Sequence, residues 1–181
     1  MPHYFGAFLI YQISLPMVKQ IFLVATLLFS LQSFSQEATE DAPYWRTPII
    51  PPFTLLKVDS TSFTNRKILR GLPTVIVYFS PECSHCQQEA KSITDSMALI
   101  PKAQFIFASY HELDAIKEFA DKYGLNNHSN IVYGRDITYA IPSFFKVKML
   151  PFIAVYNSYG KLTTVFETGA HITDIAAAIL K

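Results

Sequence analysis

The sequence predicts an α/β fold in which one mixed β-sheet carries helices on both faces. Two near-continuous apolar runs, Leu72 to Phe79 and Ala103 to Tyr110, are typical of strands buried on both faces. After each run, apolar residues recur at three- and four-residue spacing, which is typical of an amphipathic helix. Asn157-Ser158-Tyr159-Gly160 lies between two further apolar runs and is a hairpin signature. The predicted order, β-β-β-α-β-α-(β)-(α)-β-β-α, indicates one domain without repeats.

The other elements follow from local patterns. Phe53 to Val58 and Ser60 to Thr64 suit a hairpin that precedes the first buried strand, and Asn65 to Arg70 suits a helical turn that Gly71 ends. Ile137 to Phe145 is helical or irregular, because Pro142 limits any helix there. The remaining predictions are helices over Cys86 to Ile100, Glu112 to Tyr123 and His171 to Leu180, and strands over Asn130 to Tyr133, Pro151 to Tyr156 and Leu162 to Phe166.

Residues 1–35 resemble a secretory leader. Their single charge, Lys19, precedes an apolar stretch from Ile21 to Leu31, and cleavage is predicted before Gln36. Met17 directly precedes the charge, the apolar stretch and the cleavage site of this leader, so it is a second possible start of the protein. The alternative is an uncleaved membrane anchor. Pro16 and Lys19 interrupt the apolar stretch, however, and neither of the two parts reaches the roughly 20 residues of a spanning helix. The predicted location is therefore periplasmic or otherwise extracytoplasmic, and no cysteine stands near the cleavage site to carry a lipid.

The rest of the chain divides into a linker and a domain. Residues 36–52 are polar and then proline-rich, which predicts a linker, and residues 53–181 are predicted to form the domain. Without Lys19 the chain has 14 basic and 14 acidic residues, so the part after the leader has no formal net charge. This balance gives no support for a nucleic-acid partner or for binding to an anionic membrane.

The two cysteines of the chain, Cys83 and Cys86, lie directly after the first buried strand. At positions i and i+3 of a helix start, two sulfurs share one face and can close a small disulfide ring. The helix N-terminus favours the thiolate of the first cysteine. A purely structural disulfide is the simpler alternative. Closing so short a loop constrains the unfolded chain little, however, so such a disulfide would add little stability. The pair is therefore predicted to be a reversible dithiol and disulfide.

The chain resembles the thioredoxin fold, and more narrowly the exported TlpA-type branch, whose layout is shared with the alkyl-hydroperoxide-reductase superfamily. The resemblance covers residues 53–181. It rests on the CxxC after a buried strand and on a distant Leu-Pro before a hairpin. The matching segments are Phe53-Thr54-Leu55, Arg70-Gly71-Leu72-Pro73, Val75 to Cys86, Phe119 to Gly124 and Phe145 to Leu162.

The resemblance implies a site and an activity. Cys83 would be the exposed attacking sulfur, Cys86 the buried resolving sulfur, and Pro151 a cis-proline that faces both. Leu150 would offer its backbone to an extended peptide by strand addition, and Pro81 and Glu82 complete the expected substrate-binding set. The implied activity is thiol–disulfide exchange with protein substrates, without a cofactor or metal, by a monomer that a redox partner, expected to be membrane-bound, recycles.

The residues beside the cysteines are expected to tune this chemistry. A protonated His85 favours a nearby thiolate and so a more oxidising disulfide, whereas the negative charge of Glu82 disfavours the Cys83 thiolate. The family's buried acid on the central strand is replaced by Val77, and the family's helix proline by Lys91. Glu89 could relay protons, but a solvated glutamate is the simpler expectation. The proton-transfer group and the direction of exchange therefore stay open.

Three other functions remain open. A peroxiredoxin would carry a Pro-x-x-x-Thr/Ser-x-x-Cys loop; Ser80 fits this pattern, but Ile76 stands where the proline belongs. A copper-binding module would need wider cysteine spacing and a remote histidine such as His111, His128 or His171. A redox-inert binding module of the same fold would bind partners without using either cysteine.

Overall fold

The computed structural model describes residues 42–100 and 102–180, and these form a seven-stranded mixed sheet with the order β2-β1-β5-β4-β3-β6-β7. The predicted leader lies outside the described residues. The strands are β1 (Thr54–Leu56), β2 (Ser62–Thr64), β3 (Thr74–Tyr78), β4 (Gln104–Ser109), β5 (Ile131–Asp136), β6 (Phe152–Tyr156) and β7 (Leu162–Phe166). The helices are α1 (Pro43–Arg46), α2 (Ser84–Asp95), α3 (Leu113–Lys122), α4 (Ala140–Phe145) and α5 (Ile172–Ile179), with 3-10 turns at Asn65–Lys67, Met97–Leu99 and Leu125–Asn127.

Strand β3 lies at the centre of the sheet and is buried along its whole length. It pairs in parallel with β4 and antiparallel with β6, and β4 pairs in parallel with β5. The hairpin β1–β2 extends the sheet through an antiparallel pairing of β1 with β5. The predicted mixed sheet and N-terminal hairpin are therefore confirmed.

Side chains alternate along β3 and divide the core into two layers. Val75 and Val77 pack with residues of α2, α3 and α5, whereas Ile76 and Tyr78 pack with residues of α1 and α4 on the opposite face. This alternation follows from the twofold period of a strand. The prediction of helices on both faces is confirmed, and it explains why the strand sequence is continuously apolar.

Segment 137–145, predicted as helical or irregular, contains the short helix α4. The carboxylate of Asp136, which is 1% exposed, accepts hydrogen bonds from the backbone N–H groups of Ala140 (3.2 Å) and Ile141 (2.9 Å). Pro142 lies in the first turn, where a missing N–H costs no intrahelical hydrogen bond. The proline therefore shapes the start of α4 and does not prevent it.

Residues 42–52, the described part of the predicted linker, pack against the sheet. The ring of Tyr44 in α1 is buried and lies 5.5 Å from the ring of Phe145 in α4. The backbone N–H of Leu162 donates to the carbonyl of Pro48 (2.7 Å), and Ile49 forms a β-bridge with Lys161. The prolines of this segment thus fall where the packed chain tolerates them, including Pro43 at the start of α1.

We expect Tyr44→Ala to lower the free energy of unfolding by about 2–4 kcal/mol, because it removes a buried aromatic ring and leaves a cavity. Trp45→Ala is the matched control, since Trp45 is 70% exposed, and it should change stability by less than about 1 kcal/mol. Urea unfolding of both variants measures this. Equal effects would show that α1 does not belong to the folded core.

Candidate active site at the carboxyl end of strand β3

Both cysteines lie where β3 gives way to α2. Cys83 is the N-cap residue of α2, with φ −81° and ψ 117°, and its side chain is half-buried. Cys86 lies in the first turn of the helix and is only 1% exposed. Both are free thiols. The fold thus presents one sulfur toward solvent and keeps the other in the core.

Burial raises the pKa of Cys86 to about 12. A hydrogen bond with the Cys83 sulfur and the charges of Cys83 and Glu89 act in the same direction, whereas the backbone N–H of Ser80 lowers this pKa. At neutral pH the thiol of Cys86 is therefore protonated. It can act as a nucleophile only when a neighbouring group takes its proton.

The chain brings Leu150 and Pro151 to Cys83 across 67 residues. The Leu150–Pro151 peptide bond is cis, as predicted. The Cys83 thiol donates to the carbonyl oxygen of Leu150 at a sulfur–oxygen distance of 3.8 Å. Pro151 is buried directly before β6. The backbone just before the proline therefore lies against the half-exposed sulfur.

The other predicted site residues border the cysteines. Glu82 and His85 are exposed, and neither side chain makes a hydrogen bond or ion pair with another described residue; their tuning role stays a prediction. The carbonyl of Pro81 accepts a hydrogen bond from the Gln87 side-chain amide (2.9 Å), which ties the loop to α2. His85 also lines a groove of about 380 Å³, together with Pro151 and Glu89.

Glu89 is buried, and the expectation of a solvated side chain is wrong. It is 9% exposed, its Oε2 accepts a hydrogen bond from the backbone N–H of Ala170 (3.0 Å), and its Oε1 has no partner among the described residues. Gly169 makes room for it, because a Cβ there would lie 2.6 Å from Oε2. Burial raises the pKa of Glu89, while the Ala170 N–H and His171 oppose that rise.

The sequence does contain a signal for this burial. Cys86, Ala90 and Ile93 form the inward face of α2, and Glu89 stands one turn after Cys86 at the margin of that face. Helical spacing therefore placed Glu89 near the core. It could not show that a distant glycine would leave a space for the carboxylate.

The histidines weighed as metal ligands are separated in the fold. His111 follows β4, His128 ends the 3-10 turn at Leu125–Asn127, and His171 precedes α5. Within residues 42–100 and 102–180, no group of three or more His, Cys, Asp or Glu side chains is placed to hold a metal ion. The same residues include no helix that is long and apolar enough to span a membrane.

Comparison with known sequences gives a partial match. No family model matches the chain. The chain is 30% identical over 98 residues to the soluble secreted antigen MPT53 of Mycobacterium tuberculosis and Mycobacterium bovis. The match covers 54% of this chain and 54% of the relative, so the chain spans about half the length of the curated relatives it matches.

Comparison with solved structures establishes the fold. A secreted M. tuberculosis disulfide oxidoreductase homologous to E. coli DsbE is similar over 71% of this chain and 94% of its own (TM-score 0.60, 22% identity). Peroxidoxin BcpB of M. tuberculosis is similar over 73% and 94% (TM-score 0.62, 16% identity). A thioredoxin-family thiol:disulfide interchange protein of Chlorobium tepidum is similar over 73% and 93% (TM-score 0.56, 17% identity). The chain is therefore a thioredoxin-fold protein, as its sequence predicts.

We expect Glu89→Gln to stabilise the protein at alkaline pH. Because the folded-state pKa of Glu89 is raised, its contribution to stability is greatest below the unfolded pKa and is lost as pH rises through the folded value. Near pH 8 the variant should gain on the order of 1 kcal/mol, since a buried charge with an unpaired oxygen is removed. Near pH 4 the gain should be small.

Chemical denaturation at both pH values measures this difference. Glu118→Gln is the matched control, because Glu118 is an exposed glutamate on α3 and should show no such pH dependence. A loss of stability in Glu89→Gln at both pH values would contradict the account of Glu89 as a strained buried acid.

Proposed function

We propose that the protein is an exported TlpA-type thiol–disulfide oxidoreductase that exchanges disulfides with protein substrates through Cys83 and Cys86. One observation carries the proposal. Cys83 is the N-cap residue of α2, and its half-exposed thiol lies 3.8 Å from the carbonyl oxygen before a cis-proline, with the buried Cys86 in the first turn of the helix. A merely structural pair of thiols would need neither the exposed sulfur nor the adjoining backbone acceptor.

In the reducing direction, the Cys83 thiolate attacks one sulfur of a substrate disulfide. A mixed disulfide forms, and the other substrate sulfur leaves as a thiolate. Cys86 then loses its proton and attacks the Cys83 sulfur, which releases the second substrate thiolate and leaves a Cys83–Cys86 disulfide. Two electrons have passed from the protein to the substrate. The oxidising direction is the reverse of these steps.

The proposed substrate-binding surface adjoins Cys83. A backbone carbonyl at Leu150 can accept a hydrogen bond from an extended peptide, which is recognition by strand addition. Pro81 and Glu82 border the sulfur on the loop side, and His85 lines the adjacent groove. This surface recognises the extended backbone of a peptide near a cysteine and not a particular side-chain sequence, which suits protein substrates of varied sequence.

Glu89 is the group we assign to proton transfer, the role that Val77 leaves vacant on β3. It lies one helical turn from Cys86, and its charge raises the pKa of that thiol, so the two groups are electrostatically coupled. Its own raised pKa brings it nearer to the range in which a carboxylate is an effective base at neutral pH. Its Oε1, which has no hydrogen-bond partner among the described residues, can receive the proton.

The location and partners belong to the same proposal. The predicted leader supports export. MPT53 and the DsbE homologue, to which this chain is similar, are secreted proteins, which agrees with that proposal. An exchange enzyme also needs a second redox partner to restore its starting state. We propose a membrane-bound partner for this step and a monomeric protein.

A peroxidase has weaker support. The similarity to BcpB is one of fold. Ser80 stands three residues before Cys83, as in a peroxidase loop, but the partner of its hydroxyl is His111 Nε2, 3.0 Å away. Peroxide consumption by the reduced protein, followed without a thiol substrate, separates the two activities.

We expect Cys86→Ser to accumulate a mixed disulfide between Cys83 and its substrate, because the resolving sulfur is missing. Cys83→Ser should accumulate none, because Cys86 is buried and protonated. Incubation with a disulfide-containing protein, thiol trapping and non-reducing electrophoresis measure this. Each of the two variants is the control for the other, since each removes one sulfur from the same helix turn.

Equal trapping by both variants, or none by either, would contradict the assigned roles. Undiminished reduction of the substrate by a third variant, in which Cys83 and Cys86 are both replaced by Ser, would also contradict the proposal, because the chain has no further cysteine to exchange.

A further inference from the structure

A hydrogen bond joins the ends of the two central parallel strands beside the cysteines. Ser80 follows β3 and is 8% exposed, and its Oγ lies 3.0 Å from Nε2 of His111, which follows β4. Because β3 and β4 are parallel neighbours, both residues emerge at the same edge of the sheet. The exchange steps described above use neither side chain.

The backbone of Ser80 contacts both halves of the cysteine pair. Its carbonyl accepts a hydrogen bond from the backbone N–H of Cys83 (3.2 Å), which closes the turn that presents the attacking sulfur. Its N–H lowers the pKa of Cys86, against the larger opposing effect of burial. A shift of Ser80 would therefore alter the surroundings of both sulfurs.

His111 is itself fixed to the sheet. Its backbone N–H donates to Oγ of Ser109 (3.3 Å), the fully buried last residue of β4. The ring centroid of His111 lies 4.4 Å from that of Tyr110, which in turn stacks on Tyr139 at 6.3 Å. The backbone of His111 is thus tied to the end of β4, and its ring lies against the ring of Tyr110.

We propose that His111 is a positioning residue for thiol exchange: by bonding Ser80, it fixes the turn that carries Cys83. The proposal rests on the function proposed above. His111 acts through Ser80, and no hydrogen bond joins its ring to either sulfur among the described residues.

The direction of the effect follows from which redox form Ser80 stabilises. The hydrogen bond between Ser80 and His111 is present in the form in which both thiols are free, so it fixes the geometry of the reduced protein and favours that form. Reduced protein and glutathione disulfide exchange two electrons to give the protein disulfide and two glutathione thiols. Loosening Ser80 should therefore shift this equilibrium toward the protein disulfide, which makes the protein more reducing.

The experiment compares His111→Phe, Ser80→Ala and the double variant with the unsubstituted protein. His111→Phe keeps a ring against Tyr110 but cannot bond Ser80, and it should shift the glutathione equilibrium about two- to tenfold, the range of one hydrogen bond. Amide hydrogen exchange at Cys83 in the reduced protein should accelerate by a similar factor. The double variant should do no more than either single change, because the two residues act as one pair.

Two further variants separate positioning from simple packing. His111→Gln places an amide near the position of Nε2 and should restore both values to within about twofold of the unsubstituted protein. His128→Phe removes a partly buried histidine away from the cysteines and should leave both unchanged. If His111→Phe fails to fold, Ser80→Ala and His111→Gln carry the same test.

Three results would each overturn the positioning role. The first is a His111→Phe variant with unchanged glutathione equilibrium and unchanged amide exchange. The others are additive effects in the double variant and a failure of His111→Gln to restore the two values. A failure of the proposed oxidoreductase function would give a different result from a failure of the positioning role. In that case the unsubstituted protein itself would show no reversible equilibrium with glutathione.

Discussion

The register between β3 and β6 is the constraint on which the site depends. Tyr78, the last residue of β3, pairs with Phe152, the first residue of β6, so Pro151 lies beside the end of the strand that leads to Cys83. A slip of one residue would turn every β6 side chain to the opposite face and remove the Leu150 carbonyl from the sulfur. Because β6 is buried along its whole length, the core itself opposes that slip.

Burial separates the roles of the groups on α2. Cys83 caps the helix in reach of solvent, whereas Cys86 and Glu89 lie in the core, and burial favours their protonated forms. When Glu89 is ionised, its carboxylate can take the proton of the Cys86 thiol, and its raised pKa makes it a stronger base for this step. The fold retains a costly buried carboxylate at this point, as expected where stability is exchanged for reactivity.

Much of the fold could be predicted from the sequence because its signals are local. Continuous apolar runs identified β3 and β4, and Asn157 to Gly160 identified the β6–β7 hairpin. The cis bond before Pro151 was instead implied by the resemblance to the thioredoxin fold. The packing of Tyr44, the space that Gly169 leaves for Glu89, and the bond between Ser80 and His111 could not be predicted. Each depends on residues distant in sequence that only the folded chain brings together.

The reduction potential of the Cys83–Cys86 pair, obtained by equilibration with glutathione and thiol trapping, decides whether the two cysteines form a redox-active pair. The account predicts a reversible equilibrium in which both thiols change state together, with a potential more oxidising than the roughly −270 mV of thioredoxin. A value at or below about −270 mV would keep the exchange activity but contradict the oxidising direction that His85 suggests. No reversible equilibrium, or reaction of Cys83 alone, would contradict the account.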